Sequence, residues 1–166
     1  MSVHVISAAG SIAAPRDRVF ATLADLDSHH ALTDGRIELL ELHGPPGART
    51  GGRVRLRGPL GLSRHATTAV RGARYPHTLE GTAHAPRNTS ARLRWRLSER
   101  REGTGVAVEI EIAEAWWADR LVLRAGGGWW LRRRMVAAIE RLGRQLDEPV
   151  SPAGRRSGAA ETALAA

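Results

Sequence analysis

Arg92-Leu93-Arg94-Trp95-Arg96-Leu97 and Val106-Ala107-Val108-Glu109-Ile110-Glu111-Ile112 decide how this chain folds. Both alternate apolar and polar side chains, the pattern of a strand with one face in a core and the other in water. Arg101-Glu102-Gly103-Thr104 between them reads as a hairpin loop. With that loop, Arg96 faces Glu109 and Arg94 faces Glu111, while Leu97 meets Val108, Trp95 meets Ile110 and Leu93 meets Ile112. Directly opposed residues share a face, so one register sends the apolar set inward and the Arg/Glu set outward.

The same period extends towards the N-terminus. Arg53-Val54-Arg55-Leu56-Arg57 alternates strictly, Leu62 to Arg71 and His77 to His84 read as further strands, and Ile37, Leu39 and Glu41 form one strand face. Gly44-Pro45-Pro46-Gly47, Gly58-Pro59-Leu60-Gly61 and Arg74-Tyr75-Pro76 separate these runs as turns. Val3 to Ile12 is a first strand. Pro15 then opens a helix carrying Val19, Phe20, Leu23 and Leu26, with a short second helix or turn over Asp25 to His30. Beyond Trp116 the period becomes helical. Leu131, Met135, Ala138, Ile139, Leu142 and Leu146 share a face, and Gly126-Gly127-Gly128 breaks or kinks any helix that starts near Asp119. Pro149 ends the element. Residues 1–148 therefore read as one domain and 149–166 as a disordered tail.

Composition bounds the function. All 25 basic residues are arginine, the net charge is +8 and cysteine is absent. Without cysteine there are no disulfides, no thiol catalysis and no Cys-ligated metal, which fits a cytoplasmic protein. The arginine excess, alongside abundant Ala and Gly, has the look of GC-rich codon usage. Because the strand arginines fall opposite Trp95, nucleic-acid binding is set aside. No signal peptide or membrane span is expected.

The order strand, two short helices, six strands, long helix resembles the START-like helix-grip (SRPBCC) superfamily. Ile12-Ala13-Ala14-Pro15, Val19-Phe20 and Leu23-Ala24-Asp25 resemble its opening, Val70 to Leu79 around Pro76 its central strand-turn-strand, Gly103-Thr104 its last hairpin, and Leu131 to Leu146 its C-terminal helix. The nearest flavour is the bacterial polyketide cyclase/dehydrase and lipid-transport group. His29-His30 departs from it, where relatives commonly carry Pro and Trp. The resemblance implies an α+β fold in which a curved seven-stranded antiparallel sheet wraps around the last helix, with an apolar cavity between them. It does not imply one chemistry.

Val54, Leu56, Leu79, Trp95, Val108, Ile110 and Met135 are the candidate ligand-binding residues, with Trp116 as a further aromatic wall. Strand parity adds Arg64 and Glu114 as inward polar groups, although curled strand ends would release both to solvent. No catalytic residue, metal site or cofactor is assigned, because the seven histidines show no helical ligand spacing and no P-loop or dinucleotide fingerprint is present. The leading expectation is a protein, monomer or homodimer, that binds a small hydrophobic or aromatic ligand. An alternative is a polyketide cyclase/dehydratase using Glu114, Arg64 or a histidine. The third, ranked last, is a membrane-surface or protein-interaction module using Trp129 to Arg134.

Overall fold

The computed structural model describes residues 4–28, 35–57 and 63–147. Strand β1 (His4–Ile12) leads into helix α1 (Arg16–Ala24) and a 3₁₀ turn (Leu26–Ser28). Strands β2 (Ile37–His43), β3 (Gly51–Arg57), β4 (Ser63–Arg74), β5 (Thr78–Ala85), β6 (Thr89–Arg100) and β7 (Gly103–Glu114) follow. Helix α2 (Trp117–Val122), a segment Leu123–Gly127 kinked at Ala125 and Gly126, and helix α3 (Gly128–Asp147) complete the described residues. The strands form one antiparallel sheet in the order β1-β7-β6-β5-β4-β3-β2, the expected seven-stranded sheet with a long C-terminal helix. The Gly58–Gly61 turn, His29-His30, Pro149 and the 149–166 tail lie outside the described residues.

Each helix follows from its apolar spacing. Pro15 caps α1, and Val19, Phe20 and Leu23 bury the face that meets the sheet. Met135, Ile139, Leu142 and Leu146 form the buried row of α3, each side chain contributing roughly 1.5–3 kcal/mol by leaving water. That row rests along β1, where Gly10 makes the approach feasible, since a Cβ there would lie 2.9 Å from Ile139 Cγ2. Thr104, fully buried, donates its hydroxyl to the Ala14 carbonyl at 2.7 Å and ties β7 to the start of α1.

The deciding hairpin keeps its faces but not its expected register. Arg94 pairs with Glu109, Arg92 with Glu111, Trp95 with Val108, Leu97 with Val106 and Leu93 with Ile110. The loop is shorter than the sequence suggested, because Arg100 already pairs with Gly103. Gly103 has φ 115°, a conformation suited to glycine, and any side chain there would collide with the Ile12 carbonyl. A shift of two residues conserves parity, so the inward and outward sets are unchanged. Glu41 needs a second correction. A bulge between Leu39 and Glu41 pairs Glu41 with Arg53, opposite the inward pairs Ile37–Leu56 and Leu39–Val54.

Candidate functional site

The concave face can be read in rows across the sheet, each row perpendicular to the strands. On the α1 side, beyond the buried pair Leu97–Val106, the residues Leu79, Trp95, Val108 and Ala8 stand in register and are all buried. The next row is Val70, Gly81, Leu93, Ile110 and Ile6. It is apolar throughout and faces inward, yet every member is only half-buried. One row further on, Thr68, Ala83 and Ala91 continue the surface with small side chains. Close backbone contact between α3 and the sheet is concentrated on β1. The middle strands therefore present apolar surface that α1 and α3 do not fully cover.

A polar cluster stands at the rim of this surface. Arg64 pairs with Leu56 in the β3–β4 ladder and so faces inward. Its Nη1 lies 2.6 Å from Oδ2 of Asp119 in the first turn of α2. The Thr89 hydroxyl donates to the same oxygen at 2.6 Å and accepts the Trp116 backbone N–H at 3.2 Å. Asp119 thus pins α2 to both β4 and β6. The guanidiniums of Arg64 and Arg87 lie 5.8 and 4.4 Å from the Trp116 ring centre, within cation–π range. Arg87 and Asn88 hold left-handed φ values of 66° and 58°, and for Arg87 this costs about 1–2 kcal/mol. That conformation belongs to the tight β5–β6 turn beside Trp116.

The ten residues expected to bind ligand divide into three groups. Val54, Leu79, Trp95, Val108 and Met135 are buried, the last four within the main core. Leu56, Arg64, Ile110 and Trp116 are half-buried. Glu114 is exposed: a register shift between Ser90 and Ala91 pairs it with Ser90, the neighbour of the inward Ala91, so its parity no longer sends it inside. The carboxylate that does meet Arg64 is Asp119, which sequence reasoning missed. Its only signal was an acidic residue in a first helical turn just after Trp116-Trp117. Of the described histidines, His43, His65, His77 and His84 are exposed, and no group of His, Asp and Glu among the described residues could hold a metal.

Two surface depressions lie elsewhere. One, of about 490 Å³, is an open cleft between the start of α1 and the β6–β7 turn, lined by Arg16, Asp17, Glu99 and Glu102 among others. The other, of about 170 Å³, is a furrow among Arg71, Glu80, Arg94 and Glu109 on the convex face. Charges of both signs line each; the second also touches Gly81 and Leu93, but among the outward side chains Arg71, Glu80, Arg94 and Glu109.

Solved structures share this architecture over nearly the whole chain. KanY superposes with a TM-score of 0.70 at 17% identity, covering 89% of this chain and 99% of its own. Ara h 8.0201 does so with a TM-score of 0.61 at 13% identity, over 89% of this chain and all of its own. The chain has the helix-grip fold. DynU16, a protein of the dynemicin biosynthetic locus, gives a TM-score of 0.58 at 16% identity, over 87% of this chain and 47% of its own length. No family model and no curated protein matches the sequence.

Proposed function

We propose that this helix-grip domain binds a small, mostly hydrophobic or aromatic ligand, polyketide- or lipid-like, between the concave sheet and α3. The supporting observation is the row Val70, Gly81, Leu93, Ile110 and Ile6, which faces inward, is apolar, and is only half-buried. Apolar surface left facing a concavity is what a hydrophobic ligand would cover. Arg64 and Asp119 at the rim, with Trp116 beside them, supply a polar handle for one end of such a ligand.

Titration with a flat apolar dye tests this reading. Binding should shift or quench tryptophan emission, and Trp95→Phe, one row from the half-buried surface, should remove most of that response. Ala91→Trp should fill the space and abolish dye binding while the protein still melts cooperatively. Dye binding untouched by Ala91→Trp would overturn the assignment of the site.

A second reading, catalysis of polyketide cyclisation or dehydration in the same space, is favoured by the rim cluster. There Asp119 with Arg64 takes the place expected for Glu114. Turnover of a poly-β-ketone that Asp119→Asn removes, with dye binding retained, would establish it. Dye binding without turnover leaves the carrier reading alone.

A further inference from the structure

The outward faces of α2 and α3 share a pattern that ligand binding does not use. On α2 and the turn after it, Trp117, Arg120, Leu121 and Arg124 follow one another at helical spacing and all are exposed. On α3, Trp129, Arg132, Arg133 and Val136 repeat it, again all exposed. Trp117 and Trp129 each expose 66% of their surface and Leu121 exposes 61%. Trp130 is half-buried, and Trp129 is more exposed than that.

The charges on this surface are one-sided. Between positions 117 and 136 the only acidic residue is Asp119, and its carboxylate is turned inward to Arg64 and Thr89. Arg120, Arg124, Arg132 and Arg133 have no carboxylate partner among the described residues. Arg133 lies over the Trp129 ring at 5.4 Å. Exposed indoles and aliphatic side chains among unpaired arginines match the chemistry of an anionic bilayer surface. There the rings settle at headgroup depth and the guanidiniums meet phosphates. Leu121, Val122 and Val136 favour a bilayer over a nucleic acid, whose charged backbone gives exposed aliphatic groups little to cover them. No helix among the described residues is long and apolar enough to cross a membrane, so the contact would be peripheral.

We infer that the outward faces of α2 and α3 form a docking surface for anionic phospholipid bilayers, independently of what the concave face binds. The full chain should co-float with vesicles of phosphatidylcholine containing about 30% phosphatidylserine, lose binding as salt rises, and bind pure phosphatidylcholine weakly. Brominated lipids should quench the emission of the unaltered protein. Trp117→Ala with Trp129→Ala, or Arg120→Glu with Arg133→Glu, should each weaken binding about tenfold or more. Arg96→Glu with Arg101→Glu, the same charge change on exposed positions of β6 and its turn, should alter it less than about threefold. Thermal melts check that each variant is folded.

Several results would overturn the inference. One is no binding to the anionic vesicles, and another is equal loss from the β6 variants, which would reduce the effect to net charge. A single-stranded oligonucleotide that needs the same residues while vesicles do not bind would assign the face to nucleic acid. A dimer that the tryptophan variants dissociate, again without vesicle binding, would make it a contact between copies of the chain.

Discussion

Arginine covers two surfaces of this molecule in different company. On the convex face of the sheet, Arg94 lies 2.8 Å from Glu80, and Arg55 and Arg57 reach Glu38 at 3.0 and 3.3 Å. Trp95 on the same strands points to the other side. On α2 and α3 the arginines stand beside the exposed indoles of Trp117 and Trp129, and Arg133 lies over Trp129. A net charge of +8 is blind to this difference. Across the sheet, paired charges keep the face wet and hold the strand register. Along the helices, Arg120, Arg124, Arg132 and Arg133, without a carboxylate partner among the described residues, leave a surface open to an anionic partner.

The sharpest way to break the comparison is to turn α3 over. Met135 is buried on the face of α3 that meets the core, so Met135→Asp should cost about 3–5 kcal/mol and leave little folded protein in a thermal melt. A stable Met135→Asp variant would mean that the Trp129 face is the inner one. Next in size is the tie that holds α2 against the sheet. Asp119→Asn weakens a bond to Arg64 and one to Thr89. With Arg64 partly solvated, it should cost about 1–2 kcal/mol in denaturant melts. An unchanged midpoint would show that α2 is held by something other than Asp119.

Smaller effects test the sheet side. Arg94→Ala and Arg96→Ala should each stay within about 0.5 kcal/mol of the parent in melts, because both side chains are exposed. A collapse of stability in either would mean the sheet has been read inside out. The smallest effect concerns Glu38, whose carboxyl is held below the ordinary carboxylate pKa, first by its hydrogen bond from Arg57 and then by the nearby charge of Arg55. A depressed folded-state pKa gives stability that is present above the unfolded value and lost as pH falls through the folded one. An NMR titration of Glu38 should show the lowered midpoint in the parent and its return towards the ordinary value in Arg57→Ala with Arg55→Ala.

Much of this was legible in the chain because periodicity reports faces. The alternation at 92–97 and 106–112 and the helical row from Leu131 to Leu146 placed inward and outward residues correctly. Periodicity does not report register. A slip of two residues keeps every face, and only the backbone needs of Gly103 fix the true pairing. Bulges are equally silent in a parity argument, so Glu41 was placed on the wrong face and Glu114 was carried inward. The rim of the site was half readable. Arg64 could be placed by parity, but Asp119 and Thr89 come from distant segments, and only the folded chain brings them together.

Strand β1 has a consequence for how the molecule assembles in time. It pairs His4 with Ile112 on β7 and carries α3 along its inner side, so the earliest strand completes its contacts only after the last strand and helix exist. Neighbouring strands from β2 to β7 join through adjacent antiparallel ladders and can zip in sequence. On this topology the β1–β7 ladder and the docking of α3 onto Gly10 are expected to form late, on the native side of the folding barrier. Damage confined to that junction, such as Gly10→Ala against Ile139, should hasten unfolding and leave the folding rate nearly unchanged. Such a result would make the lifetime of the native state depend on how tightly one side-chain-free notch receives one helix.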